Sequence, residues 1–301
     1  MIRPARFAMN VQTALDNHFQ DQNSGIDDAA SQEAALAEFD GFVKGLREAG
    51  VHVDVLQDTE EPHTPDSIFP NNWISMHADG SIRIYPMKTV NRQQERRVNI
   101  QNELSELGYA VDRIHDWTHH ERQGRILEGT GSIIFDHPSQ TAFCAISQRA
   151  EWALFTSYCE EFGYTPITFH AHQDTPQGRQ AIYHTNVMMC IADRYAIICL
   201  DCIDDPKERQ HVRAELESIG KQVIEISEAQ TAQFAGNMLQ VIGARGPLLV
   251  MSESAYQSLS DTQIQVIESH NPILHAKLDT IEQLGGGSAR CMMAENFLPL
   301  A

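Results

Sequence analysis

The sequence lacks any long hydrophobic run. No apolar stretch among its 301 residues approaches the roughly 18 residues that a membrane-spanning helix requires. The opening residues, MIRPARFAMN, also lack the apolar core of roughly 7 to 15 residues that marks a secretory signal. We therefore expect a cytoplasmic protein without a membrane partner.

Basic residues are scarce. The chain has 22 Lys and Arg against 41 Asp and Glu, a formal net charge of −19. Nucleic acid is recognised by a basic surface that neutralises phosphates. The balance therefore argues against a nucleic-acid partner, and the excess of acid is typical of a soluble surface.

Cysteine is also sparse, and its spacing does not suggest a disulfide framework. The six cysteines are scattered, at positions 144, 159, 190, 199, 202 and 291. Three of them, Cys144, Cys190 and Cys199, lie in apolar strand-like runs, as buried free thiols do. The remaining interest lies in Cys291, which follows three glycines.

Several signature loops are missing. The chain has no GxSxG elbow and no GxGxxG turn, and its glycine loop, GGGSARC, lacks the lysine and spacing of a phosphate-binding loop. Two histidine pairs, His119–His120 and His170 with His172, have no carboxylate or cysteine nearby at zinc spacing. We therefore expect neither a cofactor nor a metal.

A local pattern recurs along the chain at a nearly constant interval. A helical run ends at glycine or asparagine, then come a short apolar strand, a connector and a hairpin. The helical runs end near Gly50, Gly108, Gly163, Gly220 and Asn271, separated by 58, 55, 57 and 51 residues. A fixed period indicates one supersecondary unit copied around a shared core. Because strands alternate with helices, we predict one α/β domain over residues 1–301, a five-bladed α/β propeller with pseudo-fivefold repeats.

The fifth unit of this pattern is cut short at the C-terminus. A strand candidate at residues 5–9, ARFAM, is expected to complete it. The two ends of the chain would then close the ring and hide sheet edges that otherwise invite aggregation.

A short motif, here named the strand entrance, directly precedes each predicted hairpin. The five motifs read FPNNW, LEGTG, YHTNV, FAGNM and SARCM. In a ring of units, the residues that would face one another are Asn72, Glu128, His184, Asn237 and Cys291. Cys291 and His184 are each by themselves more typical of a structural position, whereas Glu128, between an apolar pair and a glycine, is hard to explain as a solvated residue. An acid, an imidazole and a thiol at equivalent points of three repeats favour an active site.

These motifs resemble those of the guanidino-group-modifying superfamily, which contains arginine deiminases, dimethylarginine hydrolases, amidinotransferases and N-succinylarginine dihydrolase. The resemblance covers essentially the whole chain. The segments RPARFAMN, FPNNW, HTNVMM and GGGSARCMMAENFL are most similar to the branch of arginine-deiminase-related, citrulline-utilisation hydrolases. The resemblance implies the pentein fold, which is the five-bladed propeller predicted above.

The resemblance also implies a covalent mechanism. Cys291 would be the nucleophile, His184 the general acid and base, and Glu128 the carboxylate that binds and polarises the substrate's nitrogens. These residue types suit the roles, because a thiolate is strongly nucleophilic and histidine titrates near neutral pH. The side chains expected to contact substrate are those of Asn72, Phe69, Asp66, Asn186, Arg149 and Gln20.

The sequence departs from the arginine deiminase pattern at two positions. Asn72 and Asn186 stand where that group usually has aspartate. An amide both donates and accepts hydrogen bonds, so it suits a neutral ureido group better than a cation. The less favoured alternative is that both asparagines are only turn or supporting residues, and Asp66 could still supply a carboxylate.

The favoured function is a cysteine hydrolase of C–N bonds in a small ureido or guanidino amino acid, with citrulline giving ornithine, carbon dioxide and ammonia. The alternatives are an arginine deiminase or dimethylarginine hydrolase that produces citrulline, an amidinotransferase, and a catalytically silent propeller that only binds. The sequence leaves open whether copies of the chain associate as a homo-oligomer.

A polar segment near the N-terminus is expected to cover the site. Residues 10–20, here named the cap segment, are rich in Asn, Gln, Thr and Asp and join the ring-closing strand to the first helix. They resemble the substrate-capping segment of the dihydrolase, although an ordinary surface loop would have the same composition.

Overall fold

The structure is a computed structural model that describes residues 1–14, 16–20, 28–175 and 177–301. Its strands are β1 (Ile2–Arg3), β2 (Leu56–Gln57), β3 (Ile74–Met76), β4 (Ser81–Ile84), β5 (Arg113–Asp116), β6 (Ile134–Asp136), β7 (Thr141–Ala145), β8 (Thr165–Phe169), β9 (His172–Thr175), β10 (Gly178–Ala181), β11 (Met189–Ile191), β12 (Tyr195–Ile198), β13 (Gln222–Glu225), β14 (Leu239–Gly243), β15 (Gly246–Ser252) and β16 (Ile273–Ala276). Its helices are α1 (Asp28–Glu48), α2 (Val90–Gln93), α3 (Ile100–Glu106), α4 (Gly129–Ser132), α5 (Trp152–Phe162), α6 (Pro206–Ser218), α7 (Glu228–Thr231), α8 (Glu253–Ser258) and α9 (Asp261–Glu268).

Four small sheets repeat one arrangement. In each, a hairpin of two antiparallel strands is extended by a third strand that runs parallel to the second. The strand orders are β3-β4-β5, β6-β7-β8, β11-β12-β13 and β14-β15-β16. Helical segments connect the second and third strands, as parallel pairing requires a crossover. The period seen in the sequence is therefore a repeat of a structural unit.

The N-terminal strand forms a shorter, less regular sheet. β1 pairs in parallel with β2, with Ile2 opposite Leu56, and α1 lies between them in sequence. β1 thus has the place that the second hairpin strand has in the other units. The strand expected at residues 5–9 is wrong, because pairing stops at Arg3. The next residue is proline, which has no N–H to donate.

One long predicted helix is interrupted. The sequence suggests a continuous helix through NRQQERRVNIQNELSELG, but α2 ends at Gln93 and α3 begins only at Ile100. The break accompanies the burial of Arg92 and Glu95, whose side chains turn inward and pair with each other. Tertiary contacts therefore override local helix propensity here.

The central strands of three of the four sheets are fully buried. The strands β4, β7 and β12 are buried along their whole length, as expected for strands covered by helices on one side and by neighbouring units on the other. All six cysteines are buried free thiols. Among the described residues, no helix has the length and apolarity needed to cross a bilayer.

The strand entrances of the first three units are in direct contact. A Cβ at Gly129 would lie 2.4 Å from the carbonyl oxygen of Asn71, and the positive φ of +43° at Gly129 also favours glycine. A Cβ at Gly131 would lie 2.9 Å from the His184 ring. The second entrance therefore packs between the first and the third.

The remaining entrances also touch their neighbours. A Cβ at Gly236 in the fourth entrance would lie 2.4 Å from the carbonyl oxygen of Val187 in the third. At the other end, Gly287 packs against the Phe69 ring of the first entrance, where a Cβ would lie 2.9 Å from a ring carbon. Each of the five motifs predicted to face one another thus contacts at least one of the others.

Candidate active site

The glycine loop before Cys291 is held in place by a buried carboxylate. Glu282 accepts hydrogen bonds from the Ser288 hydroxyl at 2.5 Å and the Ser254 hydroxyl at 2.6 Å. Gly286 has a φ of +63° and ends a helical turn, and its carbonyl accepts the Tyr183 hydroxyl at 2.6 Å. These contacts fix the backbone that carries the thiol.

The thiol of Cys291 lies between two side-chain amides. Asn237 Nδ2 is 3.2 Å from Sγ and Asn186 Nδ2 is 3.4 Å from it. The Asn237 amide is oriented by its other contacts, because Nδ2 also donates to the Asn186 carbonyl at 2.9 Å and Oδ1 accepts the Cys291 N–H at 3.4 Å. Two N–H donors therefore face the sulfur.

His184 and Glu128 form a buried pair. His184 Nε2 lies 2.7 Å from Glu128 Oε2, and both residues are at most 2% exposed. The other carboxylate oxygen, Oε1, accepts the Lys88 backbone N–H at 2.9 Å, and Arg149 Nη1 is 3.6 Å from Oε2. The carboxylate thus orients the imidazole ring and is itself compensated by positive charge.

The protein environment lowers the pKa of both His184 and Glu128. Burial lowers the pKa of His184 to about 4, although Glu128 opposes this change. For Glu128, burial would raise the pKa, but the charge of Arg149 and the hydrogen bond with His184 outweigh burial and hold it well below its usual range. Near pH 7 the imidazole is therefore neutral and the carboxylate ionised.

A second carboxylate reaches the site from the cap segment. Asp16 forms an ion pair with the guanidinium of Arg149 and also accepts from Lys88 Nζ at 2.6 Å. Arg149 is 1% exposed and stacks over the Tyr183 ring at 4.8 Å. Burial raises the pKa of Asp16, but the two cations outweigh it, so that the net direction is downward and the carboxylate is ionised.

A small cavity lies in front of the thiol. Its walls are formed by Asn17, Asp66, Phe69, Asn72, Arg92, Arg149, Tyr183, His184, Gly285, Gly286, Gly287 and Cys291. A larger open groove lies elsewhere and contains neither Cys291 nor His184. The small cavity carries nucleophile and imidazole together.

Most of the residues selected from sequence meet at this cavity. Asp66, Phe69, Asn72 and Arg149 line it beside Cys291 and His184. The other three selected residues are not among its lining residues. Glu128 lies behind His184, Asn186 lies against the sulfur, and Gln20 donates to the Leu284 carbonyl at 3.1 Å.

Arg92 is a site residue that the sequence did not reveal. Its charged surroundings, NRQQERR, are typical of a solvated helix face, yet it is 2% exposed. Arg92 Nη1 donates to Asn72 Oδ1 at 2.7 Å, and Nε lies 2.8 Å from Glu95 Oε1. Burial opposes the charge, but Glu95 and Asp66 outweigh burial and raise the pKa of Arg92.

Tyr183, Asn17 and Asp16 were also missed. Tyr183 directly precedes His184, so adjacency in sequence was a usable signal. Asn17 and Asp16 lie in the cap segment, which was selected as a whole and not residue by residue.

Two polar atoms of cavity residues have no partner among the described residues. They are Asn72 Nδ2 and Asp66 Oδ1. Asn72 Nδ2 lies next to the His184 ring, since both contact Gly131. The other oxygen of Asp66, Oδ2, accepts from Asn10 at 2.7 Å, and burial raises the pKa of this carboxyl against the effect of Arg92. Buried unpaired groups of this kind are expected where a ligand completes the hydrogen bonds.

The cap segment closes the cavity. Asn10 and Thr13 bind Asp66, with Thr13 Oγ1 at 3.3 Å from Oδ2. Asn17 Nδ2 donates to the carbonyls of Gly285 and Gly286 at 3.3 and 3.2 Å. The segment therefore joins the first entrance to the glycine loop of the last.

A sequence profile of one enzyme family matches nearly the whole chain. The family is described as N,N dimethylarginine dimethylhydrolase, eukaryotic, and the match covers residues 3–298. The chain belongs to this dimethylarginine dimethylhydrolase family. The family lies in the guanidino-group-modifying superfamily, the penteins, and its members hydrolyse C–N bonds other than peptide bonds, so the chain is an enzyme of this class.

Solved structures outside the profile share the fold of this family member. ArgZ, an arginine dihydrolase from the ornithine–ammonia cycle in cyanobacteria, has a TM-score of 0.75 at 16% identity, over 100% of this chain and 40% of its own. The N-terminal domain of ArgZ bound to product has a TM-score of 0.74 at 17% identity, over 99% and 98%. A dimethylarginine dimethylaminohydrolase adduct with S-methyl-L-thiocitrulline has a TM-score of 0.63 at 13% identity, over 97% and 96%.

These likenesses establish the mixed α/β fold. The chain spans about two fifths of full-length ArgZ, 40%, and nearly all of its N-terminal domain. No curated protein sequence matches the chain.

Proposed function

We propose that the protein is a cofactor-free cysteine hydrolase that converts citrulline to ornithine, carbon dioxide and ammonia. The observation that carries the proposal is the orientation of the Asn72 amide. The Arg92 side chain can only donate hydrogen bonds. The Asn72 atom that lies 2.7 Å from Arg92 Nη1 is therefore the amide oxygen. The amide nitrogen is left unpaired beside His184.

An unpaired donor at this place selects for an acceptor on the substrate. A ureido group offers a carbonyl oxygen, whereas a guanidinium has N–H donors only. A guanidinium facing Asn72 Nδ2 would leave two donors in contact and would gain no compensating negative charge from the amide. The geometry therefore supports a neutral ureido substrate.

The first half-reaction uses Cys291 and His184. The neutral imidazole takes the thiol proton, and Sγ attacks the ureido carbon while the carbonyl electron pair moves onto oxygen. When the carbonyl re-forms, the bond to the side-chain nitrogen of ornithine breaks, and that nitrogen takes the proton from His184. Ornithine leaves, and an S-carbamoyl cysteine remains.

The second half-reaction uses the same imidazole as a base for water. Water attacks the carbamoyl carbon, its proton passes to His184, and the C–S bond breaks as sulfur regains that proton. Carbamic acid is released and decomposes to carbon dioxide and ammonia. Glu128 holds the imidazole ring and, being ionised, stabilises the imidazolium that forms in each half-reaction.

Arginine is a second candidate substrate. Asp66 presents an unpaired carboxylate oxygen at the cavity, which suits a cation. ArgZ is an arginine dihydrolase, and an asparagine-to-serine variant of its N-terminal domain is covalently bound to a reaction intermediate. Arginine hydrolysed at this cavity would give citrulline.

The same cavity supports a proposal about architecture. The four equivalent sheets, the β1–β2 pair and the contacts among the strand entrances favour one domain over residues 1–301, a five-bladed α/β propeller whose centre is the active site. A closed ring would explain why motifs that are distant in sequence meet around Cys291 and His184.

The test is the substitution Asn72→Asp. It replaces the unpaired donor with an acceptor and a charge, so kcat/KM for citrulline should fall by about 10- to 100-fold, the effect of losing one buried hydrogen bond. Any activity with arginine should rise relative to that with citrulline. Ornithine and ammonia release should be measured with both substrates, in both proteins.

Asn271→Asp is the matched control. Asn271 is buried at 4% exposure and bonded to Tyr195, away from the cavity, so its substitution should leave the ratio of the two substrates unchanged. If the wild type prefers arginine, or if Asn72→Asp leaves the ratio unchanged, citrulline specificity is wrong. If neither substrate releases ammonia, the hydrolytic proposal itself fails.

A further inference from the structure

Among the described residues, the sulfur of Cys291 accepts hydrogen bonds from two neutral amides and from no cation. Asn237 Nδ2 and Asn186 Nδ2 lie 3.2 and 3.4 Å from Sγ. Both asparagines are 0% exposed, so water does not compete for their N–H groups. In such surroundings a hydrogen bond to an anion is stronger than the same bond at a surface.

The cations of the cavity are engaged elsewhere. Arg149 is paired with Asp16 and Glu128, and Arg92 with Glu95. The titratable or charged groups around the thiol are Asp66, Arg92, Arg149, Tyr183 and His184, with Glu128 behind the imidazole. Since His184 is neutral near pH 7, no preformed imidazolium stands opposite the sulfur.

We propose that Asn186 and Asn237 are catalytic residues that stabilise the Cys291 thiolate through their amide N–H groups. The proposal deepens the proposed function and rests on it, because a neutral ureido substrate brings no positive charge to stabilise the thiolate. The activating groups then have to belong to the protein. The two amides are the groups in contact with the reacting atom.

The identity of residue 186 matters for this role. An aspartate there would place a carboxylate about 3.4 Å from the sulfur, and two neighbouring anions disfavour each other's ionisation. The asparagine supplies a donor instead, while its Oδ1 is left without a partner among the described residues. The Asn186 amide therefore directs its N–H group at Cys291 while its oxygen stays unpaired.

The experiment measures the thiolate without substrate. Iodoacetamide alkylation of Cys291 is followed across pH, with the modified peptide identified by mass because the other five cysteines are also buried free thiols. Asn186→Ala should move the alkylation midpoint up by about one pH unit, as expected for one lost hydrogen bond to an ionised group. Asn237→Ala should move the alkylation midpoint in the same direction. Asn271→Ala, the control, should leave the midpoint unchanged from the wild type.

Asn186→Ala is the decisive variant. Among the described residues, the Asn186 side chain makes one hydrogen bond, to Sγ, whereas the Asn237 side chain also binds backbone groups. Circular dichroism is the control that tests whether the variant is folded. An unmoved midpoint in folded Asn186→Ala overturns the proposal. So does a shift in Asn186→Asp without one in Asn186→Ala, because charge repulsion alone would then explain it.

A second readout separates this inference from the proposed function. In Asn186→Ala, kcat/KM for citrulline should fall at neutral pH and recover as pH rises, which a merely structural role would not produce. If the alkylation midpoint moves and citrulline is not hydrolysed, the amide role stands and the substrate is wrong. If citrulline is hydrolysed and the midpoint does not move, the amide role fails alone.

Discussion

At the scale of single residues, the chemistry depends on one thiol among six. All six cysteines are buried, so burial does not distinguish Cys291 from the others. What distinguishes it is its position: it lines the cavity with His184 and receives two amide hydrogen bonds.

Cys291→Ser should abolish turnover and preserve the fold. A serine hydroxyl ionises far less readily than a thiol, so kcat should fall at least about a thousandfold. The measurement is ornithine release at saturating citrulline. Cys190→Ala, a change at a buried thiol in β11 away from the cavity, is the control and should keep most of the activity. A Cys291→Ser enzyme with more than about a tenth of the wild-type kcat would rule out covalent catalysis.

At the scale of elements, the cap segment and the strand entrances decide whether the cavity exists. The cap segment has little secondary structure and is held by side-chain hydrogen bonds. The entrances are held by close backbone contacts at glycine.

Loss of the cap contacts should weaken substrate binding. The double substitution Asn17→Ala with Gln20→Ala removes hydrogen bonds to the carbonyls of the glycine loop. We expect KM for citrulline to rise by about tenfold, which corresponds to the free energy of one hydrogen bond, with a smaller change in kcat. The exposed-helix substitution Gln101→Ala is the control. An unchanged kcat/KM after deletion of residues 12–18 would show that the cap segment does not belong to the site.

Two glycine substitutions should have opposite effects on stability. Gly236→Ala places a Cβ 2.4 Å from the Val187 carbonyl oxygen and should lower the free energy of unfolding by about 1 to 3 kcal/mol, as overpacking does. Gly41 lies within α1 with nothing within 4 Å of its Cβ position, so Gly41→Ala should raise it by about 0.5 to 1 kcal/mol. Urea unfolding measures both, and a stable Gly236→Ala would contradict close packing between the third and fourth units.

At the scale of the whole molecule, stability should depend on buried neutral histidines. His77 hydrogen-bonds Ser75 at 2.7 Å, in a buried chain that continues through Tyr85 and Tyr158 to Arg83. Burial, and then the charge of Arg83, lower the pKa of His77 to about 3. The unfolded chain binds this proton at pH values where the folded protein does not.

Acidification should therefore destabilise the wild type more than His77→Gln. The contribution of His77 is fully present above its unfolded pKa of about 6.5 and is lost progressively as pH falls towards 3, so the two proteins should diverge by about 2 kcal/mol near pH 5. Free energies of unfolding from urea titrations between pH 7.5 and about pH 5 give the comparison. Parallel curves for the two proteins would show that His77 is protonated equally in the folded and unfolded states.

The sequence by itself determined the repeat and the candidate catalytic residues. Helix ends, hairpin turns and strand entrances are local features, so a period near 55 residues could be read before any tertiary contact was known. Asp205 precedes a proline at the first position of α6, a local N-cap pattern, and accepts from the Lys207 N–H at 2.7 Å. Cys291, His184 and Glu128 could be selected because they stand at equivalent points of that period.

Only the tertiary structure decided the partners of these residues. Arg92 lies in a stretch typical of a solvated helix. It is buried because Asn72, in the first strand entrance, and Glu95, three residues further along, supply acceptors. Asn186 was expected at substrate and lies against the sulfur, while Asp16 pairs with Arg149 across 133 residues. Sequence periodicity fixes which residues enter the centre, but the pairing of their polar atoms follows from distances between units, which no local pattern encodes.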